Sequence, residues 1–362
     1  MKKIKICVYA IAKNEEKFVD RFMDSIKEVK DVYILDTGST DNTIELFKKR
    51  GAIVKQKKYR KFKFDKARND SLALVPKDVD VCICLDIDDC IEPGFTKEIR
   101  KIWQKDTGEI NYEYIYSLDE YDKPLISFYN NHIHSRKGYK WIYPIHEVLE
   151  HKGKKKILYN HNIRIIHRPD KNKSRQFYLE LLKERVDNYP DDNRNIYLLA
   201  REYLSKHNYE ESIKVCKQYL NNIKFTKIPE RSKIMYYLAK NYRLLKDNDK
   251  AIVWSKLSMQ ELPNNKDPYI ELLINYYEKE EYDKAIDIGL KALNITDKNP
   301  GIINDISCED GTLYDYLSLC YYKIKDYENA LKYIDIDIKE HPKNERLIKN
   351  REIMLKEKDK IK

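Results

Sequence analysis

Apolar and polar positions along the chain follow two different rhythms. Over residues 3–90 short apolar runs are separated by amphipathic stretches. Strands are predicted over Ile4–Ala10, Val32–Asp36, Ala52–Lys57 and Val81–Leu85, and helices over about Glu15–Glu28, Asn42–Arg50 and Lys66–Val75. Strands that are apolar on both faces and alternate with helices predict an α/β domain, a mostly parallel sheet covered by helices with right-handed connections. Residues 100–170 carry short Tyr- and Ile-rich segments that read as strands and loops of irregular length.

The second rhythm begins after Asp170. From about Ser174 the pattern is helical almost throughout, and a unit recurs: YEESI at 209, NDKAI at 248, YDKAI at 282 and YENAL at 327. With Ser212, Ala251, Ala285 and Ala330 taken as equivalent, the residues twelve earlier are Ala200, Ala239, Leu273 and Ser318, and Pro263 and Pro342 lie twelve later. Small residues at two fixed points let paired helices approach, and a proline follows where the second helix stops. The pattern resembles four degenerate tetratricopeptide repeats over about Asn193–Lys349; an ordinary helical bundle is the alternative. Stacked repeats offer a concave surface to a peptide or protein, or a contact for a homodimer. Two domains are expected, 1–170 and 171–362.

A length of 362 residues suffices for two cores. The formal charge of +10 lies mainly in the first half, where Lys55–Arg68 is densely basic. Such a run suits nucleic acid, acidic lipid, a phosphorylated ligand or plain solvation, and solvation accounts for most of these lysines. Tyr59, Phe62 and Phe64 interleave it, yet the chain matches no common nucleic-acid module, so no nucleic-acid partner is expected. The seven cysteines are an odd number set mostly in apolar runs, which fits a reducing cytoplasm. The pair Cys82 and Cys84 has no second pair or histidine at zinc spacing. The N-terminus reads as a first strand rather than a signal peptide, and no stretch approaches the roughly 20 apolar residues of a transmembrane segment.

Polar clusters fall at three strand ends: Lys13-Asn14-Glu15, Asp36-Thr37-Gly38-Ser39 and Asp86-Ile87-Asp88-Asp89. In parallel sheets ligands bind beyond the carboxyl ends of the strands. Ser39, Thr40 or Asp41 suffices to cap the helix after the second strand, so Asp36 reads as surplus to capping, with a carboxylate for a base N–H or sugar hydroxyl. Asp86 and Asp88 would share one side of an extended backbone, an arrangement that hard divalent cations favour. Three close carboxylates repel, and a fold tolerates them in water or around a cation.

In order, YAIAKNEE, ILDTGSTDNT, FDKARNDSL and CLDIDDCIEP resemble the nucleotide-sugar-binding half of family 2 glycosyltransferases of the GT-A fold, a Rossmann-like sheet. WIYPIHEVLE and IIHRP followed by helical repeats resemble the bacterial subgroup that joins this domain to tetratricopeptide repeats and includes the SunS-like peptide glycosyltransferases. The resemblance implies a hexose or N-acetylhexosamine moved from a UDP-sugar to a peptide, protein or glycan acceptor. By position, Asp36 would meet the base, flanked by the backbone of Ile11 to Lys13. Arg68 would approach the base or diphosphate. Asp86, with Ile87 beside it, would hold the ribose or a metal-bound water, while Asp88 and His167 would ligate Mn2+ or Mg2+. Glu147 would be the catalytic base, with His146 and Trp141 on the acceptor side. The bland readings are a salt bridge from Glu147 to a nearby lysine and a capped core histidine at His167.

The chain departs from the family's pattern at Lys13, where an aromatic residue is frequent, and at Asp89, where Glu or Asn is. Two other classes compete. A DxD-type phosphatase also places Asp-x-Asp after a strand, but its motif opens the domain, and here three strands precede it. A non-enzymatic repeat scaffold with a degenerate α/β domain has no reason to gather repelling carboxylates.

Overall fold

A computed structural model describes residues 4–119, 121–170, 176–296 and 304–360. The expected helical start at Ser174 lies outside the described residues. The chain divides into two units, Met1–Arg175 and Gln176–Lys362.

The first unit opens with β1 (Ile6–Ala12), α1 (Glu16–Ser25), β2 (Asp31–Asp36), α2 (Thr43–Lys49), β3 (Ile53–Gln56), α3 (Phe64–Leu74) and β4 (Val81–Cys84). It continues through β5 (Asp89–Ile91), α4 (Phe95–Ile102), β6 (Thr107–Leu118), β7 (Pro124–Ser135), β8 (Tyr139–Ile142), β9 (Val148–His151) and β10 (Lys156–His167). The eight-stranded sheet runs β3-β2-β1-β4-β7-β6-β10-β5, and β8 and β9 form a separate ribbon. Strands β3, β2, β1 and β4 are mutually parallel, β7 turns antiparallel to β4, and β10 runs parallel to β6. Register aligns Ala12 with Asp36 and Asp36 with Gln56, so the carboxyl ends of β1, β2 and β3 form one rim.

Both faces of the parallel half are buried. Val8, Ala10 and Ile34 pack against Phe18, Phe22 and Phe47 of the helices on one face. Cys7, Tyr9 and Cys84 pack against Leu72 of α3 and Trp141 of β8 on the other. Residues 107–167 correct the expectation of irregular segments, because β6, β7 and β10 each run for 12 residues. Their tyrosines, asparagines and histidines lie on a half-exposed sheet and interrupt the apolar alternation that marks a strand.

The second unit is a run of helices: α5 (Gln176–Asn188), α6 (Asn193–Ser205), α7 (Tyr209–Asn221), α8 (Ile228–Leu244), α9 (Asn248–Glu261), α10 (Asp267–Glu278), α11 (Tyr282–Leu293), α12 (Thr312–Lys323), α13 (Tyr327–Glu340) and α14 (Glu345–Asp359). Four hairpins share one turn. His207, Lys246, Glu280 and Lys325 take left-handed backbone just after α6, α8, α10 and α12. The next N–H reaches back to the carbonyls of Tyr203, Tyr242, Tyr276 and Tyr321 at 2.9 Å each. This is the Schellman closure, built without glycine. All eight small or aliphatic positions of the repeat, from Ala200 to Ala330, are fully buried, so the register read from the sequence is the packing register.

Candidate active site

The rim at the ends of β1 and β2 is stitched by side chains. Asn14 takes left-handed backbone, and its Oδ1 accepts from Thr40 N–H at 2.8 Å. Thr43 Oγ1 accepts from Glu15 N–H at 2.8 Å. Asp36 is fully buried, and its carboxylate accepts from the N–H groups of Gly38 and Ser39, both at 3.0 Å, and from the Ser39 hydroxyl. Asp36 does not cap α2, which starts at Thr43 and receives its side-chain acceptor from Asp41; it shapes the turn before it, where Gly38 takes φ +120°. Ile11 is the half-buried penultimate residue of β1, and Lys13 is exposed just beyond it.

Arg68 sits on α3, its side chain 6% exposed. Its Nε donates to Glu147 Oε1 at 2.8 Å, its Nη2 to Asp86 Oδ1 at 2.5 Å and its Nη1 to Cys84 Sγ at 3.4 Å, while the guanidinium lies 5.3 Å from the Trp141 ring centre. Helix α3 is held in place by Asn69, whose amide donates to the Trp141 carbonyl at 2.8 Å and accepts from Trp141 N–H at 3.0 Å. Burial disfavours the charged guanidinium, yet Asp86 and Glu147 outweigh it and hold Arg68 protonated well above its ordinary range. Burial likewise pushes the Asp86 carboxyl up, and Arg68 brings it below the usual carboxylate range.

Glu147 is presented by the loop between β8 and β9, where Tyr143 and His146 both take left-handed backbone, at φ +73° and +47°. Such conformations in non-glycine residues persist where surrounding contacts enforce them, and they gather at functional sites. Glu147 pairs with Arg68 rather than with a lysine. Trp141 is corrected from the acceptor side: its side chain is buried beneath Arg68, and Nε1 donates to Tyr9 Oη at 2.9 Å. His146 stays half-buried beside Glu147.

The acidic triplet departs from the expected geometry. β4 stops at Cys84, Asp89 N–H donates to the Asp86 carbonyl at 3.0 Å across a turn, and Asp89 begins β5. Asp86 and Asp88 therefore flank a turn, not an extended strand, and the Ile87 side chain points into the core. The turn brings Asp88 and Asp89 to His167 at the end of β10. His167 Nδ1 lies 3.1 Å from Asp89 Oδ1 and 3.9 Å from Asp88 Oδ1, and one ligand atom from each of the three residues falls within 4.8 Å of the others.

Asp89, a departure from the family's pattern, is central to this cluster. It accepts from Tyr114 Oη at 2.9 Å, and burial, with Asp86 and Asp88 adding, pushes its carboxyl to about 6. Burial lowers the His167 imidazole, but the Asp89 hydrogen bond and the charge of Asp88 raise it overall. Tyr116 stacks on the His167 ring at 5.7 Å and 12°. Two carboxylates and an imidazole suit Mn2+ or Mg2+ with water and phosphate oxygens completing the shell.

Residues beyond the sequence reading complete the site. Arg21 of α1 donates from Nη2 to the carbonyls of Arg168, at 2.9 Å, and Asp88, at 3.4 Å, and so ties the acidic turn to the end of β10. His132 packs edge to face on the Trp141 ring at 5.0 Å, where burial and the Arg68 charge push its imidazole down to about 4. No periodicity marks Arg21, because its contacts lie 67 and 147 residues away in the chain.

Residues 7–145 match the model of glycosyl transferase family 2, and residues 312–355 match that of the Fis1 C-terminal tetratricopeptide repeat. Among solved structures the chain is similar to MamA, at 18% identity over 46% of this chain and 89% of that one, with a TM-score of 0.37. It is similar to YrrB, described as a TPR protein with an unusual peptide-binding site, at 14% identity, 49% and 83% coverage and a TM-score of 0.38. A thermophilic TPR protein in Thermus thermophilus aligns at 17% identity, 49% and 88% coverage and a TM-score of 0.35. No curated protein matches the chain. Among the described residues, no helix is long and apolar enough to cross a membrane.

Proposed function

The chain joins a family 2 glycosyltransferase domain to tetratricopeptide repeats, and from that premise we propose a metal-dependent, inverting transfer of a hexose or N-acetylhexosamine from a UDP-sugar. The catalytic domain is assigned to residues 1–170 and the repeat domain to 171–362. The observation that carries this reading is one rim: Asp36, Arg68, Asp86 and the Asp88–Asp89–His167 cluster stand beyond the carboxyl ends of β2 and β4 or close to them, with Glu147 joined to them through Arg68.

In this reading the Asp36 turn and the backbone from Ile11 to Lys13 receive the base, and Asp86 with the backbone of Ile87 receives the ribose. Asp88, Asp89 and His167 hold the divalent cation, which when bound offsets negative charge on the departing diphosphate. Arg68 Nε engages Oε1 of Glu147, leaving Oε2 of the same carboxylate to take the proton of the acceptor nucleophile. That nucleophile bonds to the anomeric carbon as the bond to the diphosphate oxygen breaks on the opposite face, and UDP leaves with the bonding pair. The acceptor is a peptide or protein side chain or a glycan hydroxyl. All seven cysteines are free thiols, which supports a cytoplasmic setting.

The test is a thermal-shift panel of sugar nucleotides in manganese, followed by measurement of UDP release. A ligand that binds only the native state raises its melting temperature. A UDP-sugar should give the largest shift, and Asp88→Ala or chelation should abolish both shift and release. Release that survives both treatments refutes the metal assignment, and no shift with any sugar nucleotide refutes the reading.

A further inference from the structure

The basic run Lys55–Arg68 has a specific place in the fold. Seven of the twelve residues from Lys55 to Lys66 are Lys or Arg, against one acid, Asp65. They begin on β3, the outermost strand of the eight-stranded sheet at its parallel end, and run to the first turn of α3. Lys55, Lys58, Arg60 and Lys66 are exposed, and none of the four forms an ion pair among the described residues. Lys57 is instead held by Asp70, at 2.6 Å.

The strip touches the proposed site at both ends. The Lys58 side chain lies against Gly38, where a Cβ would meet its Cγ at 3.6 Å, so it borders the Asp36 turn. Phe64 N–H donates to the Pro144 carbonyl at 2.9 Å, so the far end borders the loop that presents Glu147. A positive surface therefore runs from the donor side to the base.

We propose that this strip docks an acidic, extended polypeptide segment of the acceptor; this deepens the glycosyltransferase reading and rests on it. Three observations choose this occupant. The outer edge of β3 pairs with no strand among the described residues, and main-chain groups there can bond to another polypeptide but not to a membrane. Lysines on an edge repel basic strands and make neutral ones desolvate their ammonium groups without compensation, so the same residues admit an acidic strand selectively. The aromatic rings of the strip are turned on one another, Tyr59 to Phe62 at 5.8 Å and Phe62 to Phe64 at 4.9 Å, both edge to face. They stand neither splayed for stacking on bases nor projecting into lipid.

The experiment uses the full chain and three probes: a fluorescent Glu-rich peptide, its Gln-for-Glu counterpart, and phosphatidylglycerol vesicles. The acidic peptide should bind more tightly than the neutral one and weaken as salt is raised. The triple variant Lys55→Ser, Arg60→Ser, Lys66→Ser should weaken it by about tenfold, as expected for three surface charge pairs. Equal binding of the two peptides, undiminished binding by the triple variant, or binding of vesicles in place of peptide overturns the proposal. Peptide affinity is measured without donor, and UDP-sugar affinity separately on the same variant. Loss of peptide binding with donor binding intact therefore separates failure at this strip from failure of the glycosyltransferase reading.

Discussion

Arg68 Nε donates to Glu147 Oε1 at 2.8 Å, and the same guanidinium donates to Asp86. One buried cation thereby joins α3, the end of β4 and the strained loop before β9. Removing a single partner from such a bridge leaves carboxylates without their countercharge, which costs about 3 kcal/mol or more when they are buried. Arg68→Met should lower the unfolding free energy by up to that order, mostly through Glu147, whose side chain is 12% exposed, since that of Asp86 is 46% exposed and stays partly solvated. Arg68→Lys should recover only part of the loss, because one ammonium cannot reproduce a planar fork aimed at two carboxylates. A Met variant as stable as the parent would show that the bridge has no structural weight.

The bridge also makes Glu147→Gln a clean probe of the base. The amide oxygen still accepts from Arg68 Nε, so the loop keeps its anchor, but the group can no longer take a proton. Turnover should fall by roughly 10² to 10⁴ with sugar-nucleotide affinity unchanged. Unchanged turnover with weakened nucleotide binding would make Glu147 a structural residue.

These two contacts also mark the limit of what the chain reveals as text. The strand and helix rhythm of residues 3–90 was readable because each apolar run is local, and the repeat was readable because its small residues recur at fixed offsets. The Arg68–Glu147 pair spans 79 residues and Arg21 to the Arg168 carbonyl spans 147, so neither leaves a local trace. The acidic triplet misled in detail. Period-two spacing pairs Asp86 with Asp88 only if the backbone stays extended, and the turn closed by the Asp86 carbonyl pairs Asp88 with Asp89 instead. Asp36 was legible only in part, for a related reason: a carboxylate that accepts from the N–H groups two and three residues on shapes the turn itself, a role that composition alone does not separate from ligand binding.

A buried imidazole sets an acid limit on stability. Trp141 Nε1 donates to Tyr9 Oη, Tyr9 Oη donates to His134 Nε2 at 2.9 Å, and His134 Nδ1 donates to the Ser135 carbonyl at 2.8 Å. Each polar atom of that chain is satisfied only while His134 is neutral. Burial pushes its imidazole down to about 3. Its folded value lies below the ordinary value near 6.5, so the unfolded chain binds the proton first as pH falls. The contribution is full above about 6.5 and shrinks towards 3, at up to about 1.4 kcal/mol per pH unit. His134→Gln keeps an acceptor for Tyr9 and does not titrate. The fall in melting temperature between pH 6.5 and 4.5 should therefore be shallower in the variant; identical slopes would exclude His134 as the source.

Asp89 is where stability and metal binding should pull apart. Its carboxyl is raised to about 6 by burial, with Asp86 and Asp88 adding, so at neutral pH the folded protein carries an anion its surroundings disfavour. Groups shaped for a ligand commonly cost the empty fold stability. Asp89→Asn removes the charge while leaving an oxygen for Tyr114 Oη, at the cost of the 3.2 Å hydrogen bond that Oδ2 accepts from Asp86 N–H, so in chelator it should raise stability by no more than about 1 kcal/mol. In manganese the order should reverse, because the amide is a weaker ligand for a hard cation than a carboxylate, and the metal-induced rise in melting temperature should shrink or vanish. Paired melts in chelator and in manganese decide it. An Asn variant that manganese stabilises as much as the parent would remove Asp89 from the ligand set and leave its buried charge without a function.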